Sequence, residues 1–225
     1  MTGHELHEAR EQLRWTQKRA AAQLGVSQPY LSLLENGLRP VSANLVERLA
    51  KHTPVPATAL PLKEESVFDP QTFAASLGSL GYPRFSYLSD SRRRQNPAVL
   101  LLTALRQDQL EPRLTEALPW LLLLYPKLNW NWLVERAKRH NLQNRLGFLV
   151  SLARQIAEKQ GASGSANTLA RVEHQLEDAR LAKVDALSRR LTQAERQYFQ
   201  DHRSPTARHW NLLTGLSADT LQYAE

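Results

Sequence analysis

With 225 residues, 42% of them hydrophobic and 23% charged, the chain has the composition of a soluble globular protein with room for one larger core or two smaller ones. Cysteine is absent, which excludes disulfides, thiolate zinc sites and cysteine nucleophiles. Apolar runs such as Trp120 to Tyr125 are too short to span a bilayer, and no basic start followed by an apolar run marks a secretory signal, so a cytoplasmic protein without membrane contact is expected.

The formal charge of +7 is unevenly placed. Residues 1–52 carry seven Lys/Arg against five Asp/Glu, a net +2, and residues 118–160 carry seven against two, a net +5. Residues 53–117 and 161–225 are balanced. Such charge favours phosphate-bearing partners through steering and counterion release. A solvated helix surface explains any single basic run equally well.

In chain order, Leu6, Leu13, Ala20 to Ala22, Leu24, Leu31, Leu34, Leu45, Val46 and Leu49 recur at helical spacing and predict a compact helical head over residues 1–53. Within it Thr16 opens a helix over 17–24 that Gly25 ends, and Ser27 caps a second over 28–35 that Asn36-Gly37 ends. His52-Thr53-Pro54-Val55-Pro56 breaks the pattern, and residues 54–68 read as a linker.

A larger helical domain is predicted over 69–225. Asp69-Pro70 opens a helix to about Leu80, which Gly81 and Pro83 stop. Residues 84–95, including Arg92-Arg93-Arg94, read as an exposed connection. Asn96-Pro97 opens a helix through Leu105, and Leu114 to Tyr125 is helical, with Pro119 kinking it or starting a new helix. Asn129 is expected to cap a helix from Trp130 to His140. Leu142, Leu146, Leu149, Ala153 and Ile156 predict an amphipathic helix with one buried stripe. Gly161 to Asn167 read as a flexible loop, and Leu169, Val172, Leu176, Val184, Leu187 and Leu191 as one long helix. Ser204-Pro205 and Ser217 signal two further helix starts. No segment alternates with period two, so the fold class is all-α: a helix-turn-helix bundle of four to five helices followed by a larger helical domain.

Two short helices joined by a tight glycine-containing turn form the geometry that sets one helix in the DNA major groove. On the second of them Leu31 and Leu34 face inward. Its outward positions begin with Gln28, Pro29, Ser32 and Leu33, which lack the charge usual on a solvated helix and suit a surface that meets base edges. The string Thr16-Gln17-Lys18-Arg19-Ala20-Ala21-Ala22-Gln23-Leu24-Gly25-Val26-Ser27-Gln28, continued by Leu31-Ser32-Leu33-Leu34-Glu35-Asn36-Gly37 and Pro40, resembles the Xre-type family of phage-repressor and Cro-like helix-turn-helix domains. The resemblance covers residues 4–52, roughly a fifth of the chain.

That resemblance implies double-stranded DNA as the partner and assigns roles by position. Gln28 matches the family's base reader, able to bond adenine N6 and N7 together, with Pro29, Ser32 and Leu33 beside it; Pro29 and Leu33 offer only apolar contact, as to a thymine methyl. Gln17, Ser27, Tyr30, Asn36 and Arg39 match DNA-backbone contacts, which position a protein without carrying sequence information. For Tyr30, packing against a neighbouring helix is an equal reading. Arg10 and Glu35 resemble a family ion pair with a structural role.

After residue 53 no catalytic motif is legible. The seven histidines do not pair with carboxylates at metal-ligand spacing, and there is no phosphate loop or nucleophile elbow. Neither enzyme activity nor a cofactor nor a metal is expected. Trp120, Tyr125, Trp130 and Trp132 interleave with Lys127, Arg136, Lys138, Arg139 and Arg145, a pattern that suits nucleic acid, though core packing of the aromatics is the stronger reading. One short recognition helix reads few base pairs, so a homodimer on paired half-sites is expected, acting as a transcriptional repressor. The alternative is an antitoxin that represses its own operon through the head and neutralises a toxin through the helical domain. Segments 144–149 and 207–213 give that idea modest support. A third reading, a nucleic-acid enzyme or ligand-regulated sensor, would show a polar pocket with perturbed titrating groups in the helical domain.

Overall fold

In the computed structural model, which describes residues 1–64, 68–90, 94–187 and 190–221, capped helices follow one another along the chain. Met1–Lys63 and Glu64–Glu225 form two compact units. Within the first, α1 (Gly3–Gln12), α2 (Gln17–Leu24), α3 (Gln28–Glu35) and α4 (Ala43–Ala50) start where Thr2, Thr16, Ser27 and Ser42 accept a bond from the N–H three residues on. Each cap satisfies one of the donors that a helix start leaves free. Leu6, Ala20, Leu24, Leu31, Leu34, Leu45 and Leu49 interlock as the core, with Trp15 beside them. Gly3 packs so closely on the end of α3 that a Cβ there would lie 2.1 Å from the Leu34 carbonyl oxygen.

The stretch read as the start of a linker continues this unit. Val55 is buried in the core between its two prolines, a 3₁₀ turn follows over Ala57–Ala59, and Ala59 and Leu60 pack on the same core. The unit ends at Lys63.

The second unit is built from α5 (Pro70–Ser79), α6 (Pro97–Leu105), α7 (Pro112–Leu124), α8 (Trp130–Arg139), α9 (Gln143–Lys159), α10 (Ser163–Glu177), α11 (Gln193–His202) and α12 (Pro205–His209). The protein is thus mainly helical. Its described residues include one two-residue parallel pair, β1 (Asp185–Ala186) beside β2 (Leu212–Leu213), with Asp185 opposite Leu212. At the centre lies α9, against which α7, α8, α10 and α12 pack. Trp210, fully buried after α12, donates to Ser151 Oγ on α9 at 2.7 Å, and its ring fills the space beside Gly147.

Several local expectations are corrected. The expected exposed connection is exposed at residue 84 and over 86–89, but it opens in a 3₁₀ segment, residues 83–88, whose Phe85 is buried with its carbonyl oxygen 2.1 Å from where a Cβ on Gly78 of α5 would lie. Arg92 and Arg93 of the expected exposed connection lie outside the described residues. Pro119 sits within α7 rather than starting a new helix, because the neighbouring Leu118, Leu121 and Leu122 are fully buried and their packing outweighs the missing hydrogen bond. Asn129 precedes α8 without capping it through its side chain.

The helix expected to bury one stripe, α9, is buried at every residue from Gln143 to Ala153, since neighbours cover it on several sides. Gly161, at φ 70°, ends that helix, and α10 begins inside the expected loop. The expected long helix to Leu191 stops at Glu177. Two tertiary contacts hold the chain out of helix beyond it: Asn144 exchanges two hydrogen bonds with the Leu181 backbone, both 2.8 Å, and Arg145 grips Asp185. A Thr192–Glu195 capping box then opens α11, a start the sequence reading passed over. Ser204 caps α12, whereas Ser217 opens only a turn.

Candidate nucleic-acid interface

The turn between α2 and α3 is fixed from three directions. Gly25 takes the left-handed conformation at φ 64°, the Gly25 and Val26 N–H groups bond back to Ala22 and Ala21, and Val26 packs on the core. These bonds close the end of α2 in a Schellman motif. From α4, Arg48 donates to the Leu24 carbonyl at 2.7 Å. The sequence reading missed this arginine, because nothing in its own helix signals a partner 24 residues away.

On the other side, α1 and α3 are joined by a partly buried charge cluster. Arg10 Nε donates to Glu35 Oε1 at 2.6 Å, its Nη1 to the Trp15 carbonyl at 2.9 Å, and Gln17 Nε2 to Glu35 Oε2 at 2.9 Å. His7 Nδ1 lies 3.3 Å from the same carboxylate. Burial raises the pKa of the Glu35 carboxyl, but the hydrogen bonds from Arg10, Gln17 and His7 and the Arg10 charge outweigh it and hold the group below its usual value. The amide of Gln17 is therefore turned to this cluster and is half-buried, where sequence reading expects a phosphate contact.

These constraints fix the exposed face of α3. Gln28 and Pro29 are exposed in its first turn, Ser32 is half-buried one turn later, and Leu33 is 39% and Tyr30 41% exposed. Pro29 sits where its missing N–H costs nothing. Ser27 caps the helix, its Oγ accepting from the Tyr30 N–H at 3.3 Å. After α3, Asn36 Nδ2 reaches Ser32 Oγ at 3.4 Å, and Arg39 is exposed. Leu38, 68% exposed, adds an apolar side chain that the sequence reading did not single out. No charged side chain belongs to the exposed face formed by Gln28, Pro29, Tyr30, Ser32 and Leu33.

Residues 3–61 match a family described as "Helix-turn-helix domain". The first unit is a helix-turn-helix domain. Among curated proteins, one described as "Propionyl-CoA carboxylase regulator" from Cereibacter sphaeroides is 47% identical over 62 residues, which is 28% of this chain and 13% of that protein. The chain thus spans about an eighth of that relative's length, and the likeness covers little more than the helix-turn-helix domain. No solved structure matches the chain significantly. Among the described residues, no helix is long and apolar enough to cross a membrane, and no group of His, Asp or Glu is arranged to hold a metal ion.

The basic and aromatic residues of segment 118–160 divide in the second unit. Trp120 is half-buried and stacks edge-on against the buried Tyr82 at 4.9 Å, and Trp130 donates to the Pro126 carbonyl at 3.0 Å. Arg136 lies over Trp132, and Arg145 is buried. Lys127, Lys138 and Arg139 are exposed.

Proposed function

We propose that the chain is a sequence-specific DNA-binding transcriptional regulator, cytoplasmic and acting as a repressor, whose helix-turn-helix domain sets α3 in the major groove. What supports this is the uncharged, exposed first turn of α3 on a helix locked by Ser27, Arg48 and the Arg10–Glu35 pair. A helix that meets base edges has to arrive with fixed register and without like-signed charges to desolvate. In this reading Gln28 bonds adenine, and Pro29, Ser32 and Leu33 line the base pairs beside it, the apolar two against thymine methyls. Ser27, Tyr30, Asn36 and Arg39 meet phosphates, and Gln17 offers them the amide hydrogen that Glu35 does not engage.

One eight-residue helix covers few base pairs, so the protein binds paired half-sites as a homodimer, and its operator is palindromic. The relative from Cereibacter sphaeroides is a regulator by its description. The shared part is the DNA-binding head, so the carboxylase is not carried over as a target.

The test is selection of binding sites from a genomic fragment pool at fixed near-physiological salt, for the full chain and for Gln28→Ala. The expected result is an enriched palindrome in which the variant loses about 1–3 kcal/mol of discrimination at one base pair of each half-site. Equal, sequence-indifferent and equally salt-sensitive binding by both proteins would overturn the reading.

A further inference from the structure

In the second unit a cavity of about 450 Å³ opens beside the start of α9, within the size range of small-molecule sites. Its floor is rigid. Arg145, with its side chain 8% exposed, holds Asp185 with Nε at 2.7 Å and Nη2 at 3.1 Å, and its Nη1 donates to the carbonyls of Leu105 at 2.9 Å and Gln107 at 3.2 Å. Burial raises the pKa of the Asp185 carboxyl, but the Arg145 hydrogen bonds and charge, aided by the Ala186 N–H and Lys183, hold it below its usual value. The carboxylate is therefore charged and already neutralised by its partner. Asn144 is fixed equally firmly by its two bonds to Leu181.

The walls carry charge that is not consumed in this way. Three cations, Arg106, Arg145 and Lys183, line the space with two carboxylates, Asp108 and Asp185; Asp108 lies 3.5 Å from Arg145, and behind the lining Glu64 is shared between Arg106 and Arg136. The lining thus carries one positive charge in excess, and Lys183 meets Asp185 only through longer-range attraction. Together with the imidazole of His140 it lines the cavity without an ion pair among the described residues. Between them, Leu142, which precedes α9, and Asn144 and Arg145 of its first turn border the space, and Leu142 gives that 17-residue helix no side-chain cap. First-turn N–H groups and the positive end of a helix dipole favour anions. A polar cavity with excess positive charge, the exposed basic side chains of His140 and Lys183 and a hydrogen-bonded floor is suited to receive negative charge from solution.

We propose that this cavity binds a small molecule bearing two or more anionic oxygens, a phosphate ester or a di- or tricarboxylate, through Lys183, His140 and the start of α9. The site is independent of the DNA reading, and so is its test. Calorimetric titration of the full chain at matched ionic strength uses inorganic pyrophosphate for the phosphate class and citrate for the carboxylate class. Saturable binding of either probe is expected, and the one bound more tightly identifies the class. Lys183→Ala, a change at an exposed loop residue, weakens that binding about tenfold, whereas Lys127→Ala, an exposed lysine that does not line the cavity, leaves it unchanged. Absence of saturable binding for both probes overturns the proposal. So does equal weakening by the two variants, because it would mark diffuse attraction to a basic surface.

Discussion

Glu35 concentrates the stability of the helix-turn-helix domain in one carboxylate. Its side chain is 3% exposed, and the cation it faces, Arg10, is 12% exposed. A buried carboxylate left without its cation costs about 3–5 kcal/mol. Arg10→Ala is therefore expected to destabilise the domain by an amount of that order, read as a lower urea midpoint by circular dichroism. The pH dependence follows from the depressed carboxyl. Its contribution is fully present above the unfolded-state value of roughly 4.3 and is lost as the pH falls through the lower folded-state value. The intact domain therefore loses stability on acidification in that window. In Arg10→Ala, where only the hydrogen bonds from Gln17 and His7 still oppose burial at Glu35, that loss shrinks or reverses. The pair itself was legible in the sequence only through resemblance, since no local pattern links residues 25 apart. Gln17 illustrates the complementary difficulty. Its place at the start of α2 was readable, but the direction of its amide depends on Glu35, a partner from another helix.

At the scale of elements, legibility tracks how local the cause is. The helices of the first unit were readable because Thr16, Ser27, Gly25 and the leucine spacing act within a few residues of themselves. So were α5 and α6, opened by Asp69-Pro70 and Asn96-Pro97. The break after α10 was not, because its cause lies some 40 residues upstream in Asn144 and Arg145. By periodicity alone Val184 and Leu187 continue the helix; in the fold Val184 is 45% exposed, while Leu187 is buried next to β1. This assigns Asn144 a measurable task. Asn144→Ala removes both bonds to Leu181; the Leu181 carbonyl keeps the bond from Asn211 Nδ2, but its half-buried N–H is left unpaired, at about 1–3 kcal/mol. The expected result is faster tryptic cleavage after Arg180 or Lys183 than in the parent, mapped by mass spectrometry; an unchanged cleavage rate at both sites would show that the loop is held by other contacts.

At the scale of the whole molecule, the division at Lys63 has a consequence for autonomy. The first unit has its own core, and that core includes Val55 from the stretch that reads as a linker. A fragment of residues 1–63 is therefore expected to fold alone and to melt cooperatively, although with little reserve at that size. A fragment ending at residue 53 lacks Val55 and the turn after it, and should melt at a lower temperature. The comparison is made by thermal circular dichroism, and equal melting temperatures would show that residues 54–63 add nothing to the domain. The sequence marked the proline-rich stretch correctly as a break in helix. It did not reveal that the segment packs, because one valine between two prolines carries no periodic signal.

The burial of α9 from Gln143 to Ala153 also sets how the second unit breathes. An amide hydrogen in that helix meets solvent only when the helices packed around it come away together, so its exchange reports the opening of the entire unit. In contrast, α11 has no buried residue and can fray with its surroundings intact. Deuterium uptake should therefore be complete in α11 while the middle of α9 remains protonated, a gradient from rim to axis within one cooperative body. Similar uptake in the two helices would mean that the unit opens as a whole more readily than its packing implies.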